Sequence, residues 1–248
     1  MSDPAVSIRD LVKHYDRTEA LRGISFDIHP GELFGFLGPN GAGKTTTLSI
    51  LAGLIAPTSG SAHVMGYDVR RDMLAAKRCL GYIPDRPYVY EKLTGWEIVH
   101  LFADLYGVPK DVAHAQGLHW LGVFGLSDKA DALVEGYSHG MRQRLVLAAT
   151  FLHDPEVLVL DEPLVGLDPQ GAHLLKRLLR QRCEAGKVVL ISTHTLHVAE
   201  ETCDRVCVMD KGKVVSIGTV AALRRQLARA DASLEELFLA LTRDEAHL

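Results

Sequence analysis

Between Leu33 and Leu54 the chain carries a pattern that leaves few folds open. The run LFGFLG, Leu33 to Gly38, is apolar on both faces and reads as a buried parallel strand. A glycine-rich turn follows, and then a segment with Leu48, Leu51 and Leu54 at helical spacing, which predicts a helix from Lys44 to Leu54 ended by the turn Ala56 to Gly60. The turn itself, Gly38-Pro39-Asn40-Gly41-Ala42-Gly43-Lys44-Thr45, fits G-x-x-x-x-G-K-[ST]. Glycines there let backbone N–H groups turn inward around phosphate oxygens, and the helix N-terminus adds its positive dipole end. Lys44 is expected to reach the β- and γ-phosphates of a nucleotide and Thr45 to ligate Mg²⁺, with Thr46 completing the loop's binding set. A glycine-rich turn with no ligand is the plainer alternative. By itself the loop specifies only the P-loop NTPase class, which includes kinases, GTPases and motors.

Two further segments bring chemistry to the same sheet edge. VLVLDEP places Asp161 and Glu162 at the C-terminal end of an apolar strand, where open α/β sheets bind ligands. Asp161 suits Mg²⁺ held through water, and Glu162 suits orienting or deprotonating an attacking water. VVLISTH sets His194 past another buried strand, within reach of a γ-phosphate, although a histidine in that position is as often structural. His194 and His197 with Cys203 and Cys207 match no standard zinc spacing, and Cys207 falls in a predicted strand.

The rest of the chain bounds the architecture. Its 248 residues, 47% hydrophobic, suffice for one α/β domain or one domain with an inserted subdomain. A net charge of −4 leaves no broad basic surface, so nucleic acid is not an expected partner. Four scattered cysteines point to packing residues in a reducing cytosol. No apolar run reaches the ~18 residues of a membrane span, and MSDPAVSIRD lacks the regions of a signal peptide, so a soluble chain is expected. Ala5 to Asp27 predicts short strands, with Ile24, Phe26 and Ile28 alternating. A strand at Leu80 to Pro84 precedes a helical insertion, Asp85 to Asp154, in which Thr94 and Glu97 form a capping box ahead of Trp96, Val99, Phe102 and Leu105. Strands Val157 to Leu160 and Val188 to Ser192 flank a helix with Asp168 as N-cap and Pro169 at its first position. After a strand pair turning at Asp210 to Gly212, helices follow Thr219 and Ser233, the latter with Glu236 in a second capping box. A break at Ala230 to Ala232 divides a main domain, 1–230, from a helical appendage, 231–248.

YSHGMRQR, Tyr137 to Arg144, resembles the signature sequence of ABC ATPases, and the other landmarks fall in that family's order. Tyr15 sits where an aromatic stacks on adenine, Asp85 in GYIPD at the Q-loop glutamine, GLDP (Gly166 to Pro169) at the D-loop, and His194 at the switch histidine. The resemblance implies an α/β fold, with a P-loop NTPase (RecA-like) core, an N-terminal antiparallel β subdomain and an inserted α-helical subdomain. It implies ATP and Mg²⁺, with Glu162 and His194 catalytic and Thr45, Asp85 and Asp161 at the metal. It also implies a head-to-tail pair of ATPase subunits, each ATP lying between one phosphate loop and the other subunit's signature residues Ser138 and Gly140, with Asp168 of the D-loop also expected at the nucleotide. At a helix start, Ser138 offers a hydroxyl and Gly140 an open backbone N–H, which suits a γ-phosphate. A ligand-free helix cap is the plainer reading.

Two positions depart from the family pattern. His139 and Met141 replace the second glycine and the glutamine of L-S-G-G-Q, and Asp85 replaces an amide with a carboxylate that only accepts hydrogen bonds when ionised. Within the resemblance, PDRPYVYEKLTG (Pro84 to Gly95) is the expected docking surface for a separate integral membrane permease, with Pro87, Tyr88 and Tyr90 as apolar contacts. The expected role is the ATPase subunit of an export-type transporter, cytoplasmic and peripheral on the inner face of the membrane. The alternative is a soluble ABC ATPase such as one serving iron–sulfur assembly.

Overall fold

A computed structural model describes residues 3–227, 229 and 232–243. The expected boundary at Ala230 to Ala232 lies largely outside these residues, as do the first two and last five residues of the chain.

The chain opens with two long antiparallel strands, β1 (Val6–Tyr15) and β2 (Thr18–Ile28), where several short strands were expected. Asp10 explains the difference. It takes φ 44°, its N–H is held by Ser25 Oγ at 2.8 Å, and the β1–β2 register shifts there, so one bulged strand reads in sequence as broken alternation. β4 (Ser59–Val64) and β5 (Tyr67–Asp68) join them in a four-stranded sheet ordered β2-β1-β4-β5.

A second sheet is ordered β10-β9-β3-β8-β7-β6, from β3 (Leu33–Leu37), β6 (Leu80–Ile83), β7 (Val157–Asp161), β8 (Val188–Thr193), β9 (Arg205–Asp210) and β10 (Lys213–Gly218). Its pairings are parallel except for β9 with β10. The two-residue period of a strand sorts its side chains to two cores. Phe34, Phe36, Val157, Val159 and Leu190 face the antiparallel subdomain, where Phe26 stacks on Phe34 at 5.6 Å. Leu158, Leu160, Val189 and Ile191 face the opposite way, toward the helices.

Helix α1 (Lys44–Leu51) is shorter than the expected Lys44 to Leu54. Gly53 takes φ 63° and the Leu54 N–H bonds Ser49 O at 2.9 Å, a glycine stop that satisfies the last carbonyls and leaves Leu54 59% exposed. After α2 (Met73–Cys79), the insertion folds into α3 (Gly95–Tyr106), α4 (Lys110–Val123) and α5 (His139–Leu152). The Thr94–Glu97 capping box forms in both directions. Trp120 of α4 and Phe124, just past its end, pack on Phe151 of α5, whereas Leu105, expected on the packed face of α3, is exposed.

α6 (Pro169–Glu184) starts at the Asp168 cap with Pro169 at N1, and α7 (Leu196–Thr202) follows β8. α8 (Val220–Gln226) and α9 (Leu234–Arg243) close the chain. Leu234 and Leu237 of α9 are fully buried with Leu37, at the end of β3, and Ala199 of α7. Glu200 of α7 joins these elements by accepting from Arg224 Nη2 at 2.7 Å and from the Leu234 N–H at 3.1 Å. Among the described residues no helix is long and apolar enough to cross a membrane.

Candidate active site

The loop after β3 is shaped by what surrounds its glycines. A Cβ on Gly38 would lie 2.6 Å from the Met209 carbonyl oxygen, and Gly41 and Gly43 take φ 81° and 104°. Only glycine holds this path without strain. Gly43 also occupies the N-cap of α1 with no side chain to cap it, so the first N–H groups of the helix remain turned toward the loop. Lys44, 7% exposed, donates to Gly38 O at 2.6 Å and Pro39 O at 3.1 Å. Burial pushes its pKa down, and the carboxylates of Glu162 and Asp161 oppose that shift.

Parallel pairing of β7 with β8 brings the acids to this loop. Asp161, 3% exposed, stands opposite Ser192 and accepts from its hydroxyl, while its other oxygen accepts from Thr45 Oγ1 at 2.8 Å. Glu162 takes φ 50°, and its N–H reaches Ser192 O and Oγ, both at 3.2 Å. Its Oε1 lies 2.8 Å from Nδ1 of His194, whose ring is otherwise open to solvent. A carboxylate held against an imidazole beside a phosphate loop can accept a proton from water.

Of these groups Lys44, Thr45, Asp161 and Glu162 border one cleft of about 570 Å³, and His194 stands outside its lining, joined to it through Glu162. Asn40, Gly41, Ala42, Gly43, Lys44, Thr45 and Thr46 form its floor, Asp85, Asp161 and Glu162 one wall, and Tyr15 its outer edge. Tyr15 is at the tip of the β1–β2 hairpin, 43% exposed, with Lys13 Nζ 4.9 Å from the ring centroid. The open position leaves a ring face available for stacking.

Ser138, Gly140 and Asp168 are placed elsewhere, outside the cleft and exposed or half-buried. Ser138 caps α5, its Oγ accepting from the Met141 N–H at 3.2 Å, which leaves the hydroxyl proton to donate. Asp168 Oδ1 accepts from the Gly171 N–H at 2.7 Å. The two loops touch: a Cβ on Gly140 would meet Gly166 O at 2.8 Å, and one on Gly166, at φ 82°, would meet the His139 ring at 2.6 Å. His139 therefore lies over the Gly166 backbone.

Several residues at the site have no counterpart among the expected ones. Ser192, fully buried behind the cleft, supports Asp161 from the end of the strand VVLIS, a signal the sequence does contain. Arg22, Glu19 and Lys211 border the cleft itself, and nothing local in their sequence marks them.

A glycine-floored loop facing an Asp-Glu pair across parallel strands defines the P-loop nucleotide hydrolases. The sequence pattern of the ABC transporter family matches residues 21–165, more than half of the chain. The chain belongs to that family and is one of its ATP-binding, ATP-hydrolysing subunits. It is 40% identical over 223 residues to the Nod factor export ATP-binding protein I of Burkholderia orbicola, covering 90% of this chain and 73% of that one. The solved ATP-binding subunit of an ABC transporter matches with a TM-score of 0.92 and 33% identity, over 96% of this chain and 100% of that one. A dimeric ATP-binding cassette in a post-hydrolysis state, bound to ADP and Pi, shares the fold with a TM-score of 0.79 and 24% identity over 87% and 98% of the two chains. Tyr15 and His194 lie outside the matched family span.

Proposed function

We propose that this chain energises export through a separate integral membrane permease, working as two copies paired head to tail on the cytoplasmic face of the membrane. In this reading Lys44 exchanges its two carbonyl partners for the β- and γ-phosphates of ATP, and the loop N–H groups take the remaining phosphate oxygens. Thr45 Oγ1 and Asp161 Oδ2, 2.8 Å apart, are the hard oxygen donors Mg²⁺ takes, and Asp85 lies in the same cleft. Mg²⁺ neutralises the phosphates when bound. Glu162 orients and deprotonates the attacking water, while His194 holds that carboxylate in place and contacts the γ-phosphate.

The division of the site carries the reading. Lys44, Asp161 and Glu162 share one cleft, while Ser138, Gly140 and Asp168 occupy a separate surface, so a single copy has half the groups that would surround ATP. The dimeric cassette among the fold's neighbours supports the pairing, and the Nod factor relative supports export. Tyr88 and Tyr90, 88% and 60% exposed, flank a surface groove in the segment we assign to the permease. Replacing Glu162→Gln tests the chemistry. Steady-state ATP turnover is expected to fall roughly 10²- to 10³-fold with ATP still bound, and unchanged turnover rejects the role given to Glu162.

A further inference from the structure

Lys211 has no part in the machinery described so far, yet its side chain borders the cleft. It sits in the turn between β9 and β10, far in sequence from the phosphate loop, and tertiary hydrogen bonds bring it there. The Gly212 N–H donates to Ala42 O at 3.1 Å, and Gly212 O accepts from the Arg22 N–H at 2.9 Å. At φ 79° Gly212 fits where a Cβ would lie 2.8 Å from Ala20 O. The turn is thereby pinned between β2 and the middle of the phosphate loop. That places Lys211 on the side of the cleft that β2 forms, where Thr18, Glu19, Ala20 and Arg22 also border it.

The two-residue turn between Asp210 and Lys213 sets Lys211 at φ 43°, a region that costs a lysine about 1 kcal/mol and a glycine nothing. The Lys211 ammonium is little used: among the described residues its charged neighbour is Asp210, at 4.0 Å, whereas Arg22 is held by Glu19 at 3.3 Å.

We propose that Lys211 is a nucleotide-binding residue whose ammonium pairs with the phosphate nearest the ribose, a group shared by ADP and ATP. The proposal rests on the cleft being the nucleotide site. A cation whose turn docks on β2 and the middle of the phosphate loop, on the side of the cleft that the Tyr15 hairpin forms, can pair with a phosphate that a nucleoside diphosphate and a triphosphate share.

Titrating ADP and ATP against Lys211→Gly, Lys211→Arg and Lys44→Ala, with melting temperatures measured without nucleotide, tests this. Lys211→Gly is expected to bind both nucleotides about fivefold more weakly while its unliganded melting temperature holds or rises, because the turn strain is relieved. Lys211→Arg is expected to recover most of the affinity. A purely structural lysine predicts unchanged affinities in Lys211→Gly, and that result overturns the proposal, as does a loss confined to ATP. If Lys44→Ala weakens binding and Lys211→Gly does not, the Lys211 proposal alone falls. If Lys44→Ala leaves both affinities intact, the cleft is not the nucleotide site and both readings fall.

Discussion

Lys44 illustrates how single residues are held ready. Its charge is almost removed from water but hydrogen-bonded to two carbonyls, so the cost of burial is offset without a bound carboxylate. His153, away from the cleft, has a different balance. It stacks on Tyr106 with ring centroids 3.6 Å apart, and neither ring nitrogen has a well-aligned partner. Burial, aided by Arg182 and Lys187 and opposed by Asp154 and a contact with the Leu80 backbone, pushes its pKa down to about 4. The unfolded chain therefore binds more protons than the folded one between about pH 4 and pH 6.5. Stability is fully present above 6.5 and is lost as pH falls through that window, by up to about 3 kcal/mol, levelling off below. Urea midpoints for His153→Phe should show a correspondingly smaller loss between pH 7 and pH 4; an identical pH dependence would place the sensitive group elsewhere. Legibility at this scale follows chain distance. Asp161, Glu162 and His194 sit at the ends of recognisable apolar strands, and Lys44 opens the helix that follows one. Lys211 reaches the cleft only through a turn docked on Ala42, and His139 meets Gly166 only in three dimensions. No local pattern encodes either contact.

At the scale of elements, the segment proposed to meet the permease and the helix that Ser138 caps are linked by polar contacts. Arg142, in the first turn of α5, binds Glu91 at 2.8 Å and reaches Glu135 O at 3.3 Å. These contacts tie the loop carrying Tyr88 and Tyr90 to the helix that Ser138 caps. The paired substitution Tyr88→Ala and Tyr90→Ala should release the chain from membranes containing its permease while basal ATPase stays within about twofold, since surface substitutions remote from a site cost little. Fractionation and ATPase assays check this, and continued membrane co-purification would move the docking surface. Elements were readable where capping residues or two-sided apolar runs mark them, as at Thr94, Asp168 and Ser233. They were misread where one residue changes the period: Asp10 joins expected short strands into one bulged strand, and Gly53 stops α1 a turn early.

For the whole molecule, both sheets and the three helices of the insertion place two chemically different surfaces on one chain. α9 belongs to this frame, because its buried leucines pack against the residue preceding the phosphate loop. The central claim is that neither surface is a complete site. Mixing Lys44→Ala with Ser138→Arg tests it directly, because a mixed pair retains one site with an intact lysine facing an intact serine. Each variant alone should be nearly inactive, and a 1:1 mixture should regain roughly a quarter of wild-type ATPase, since half of randomly formed pairs are mixed and each has one whole site of two. A mixture no more active than its separate components would contradict the shared site.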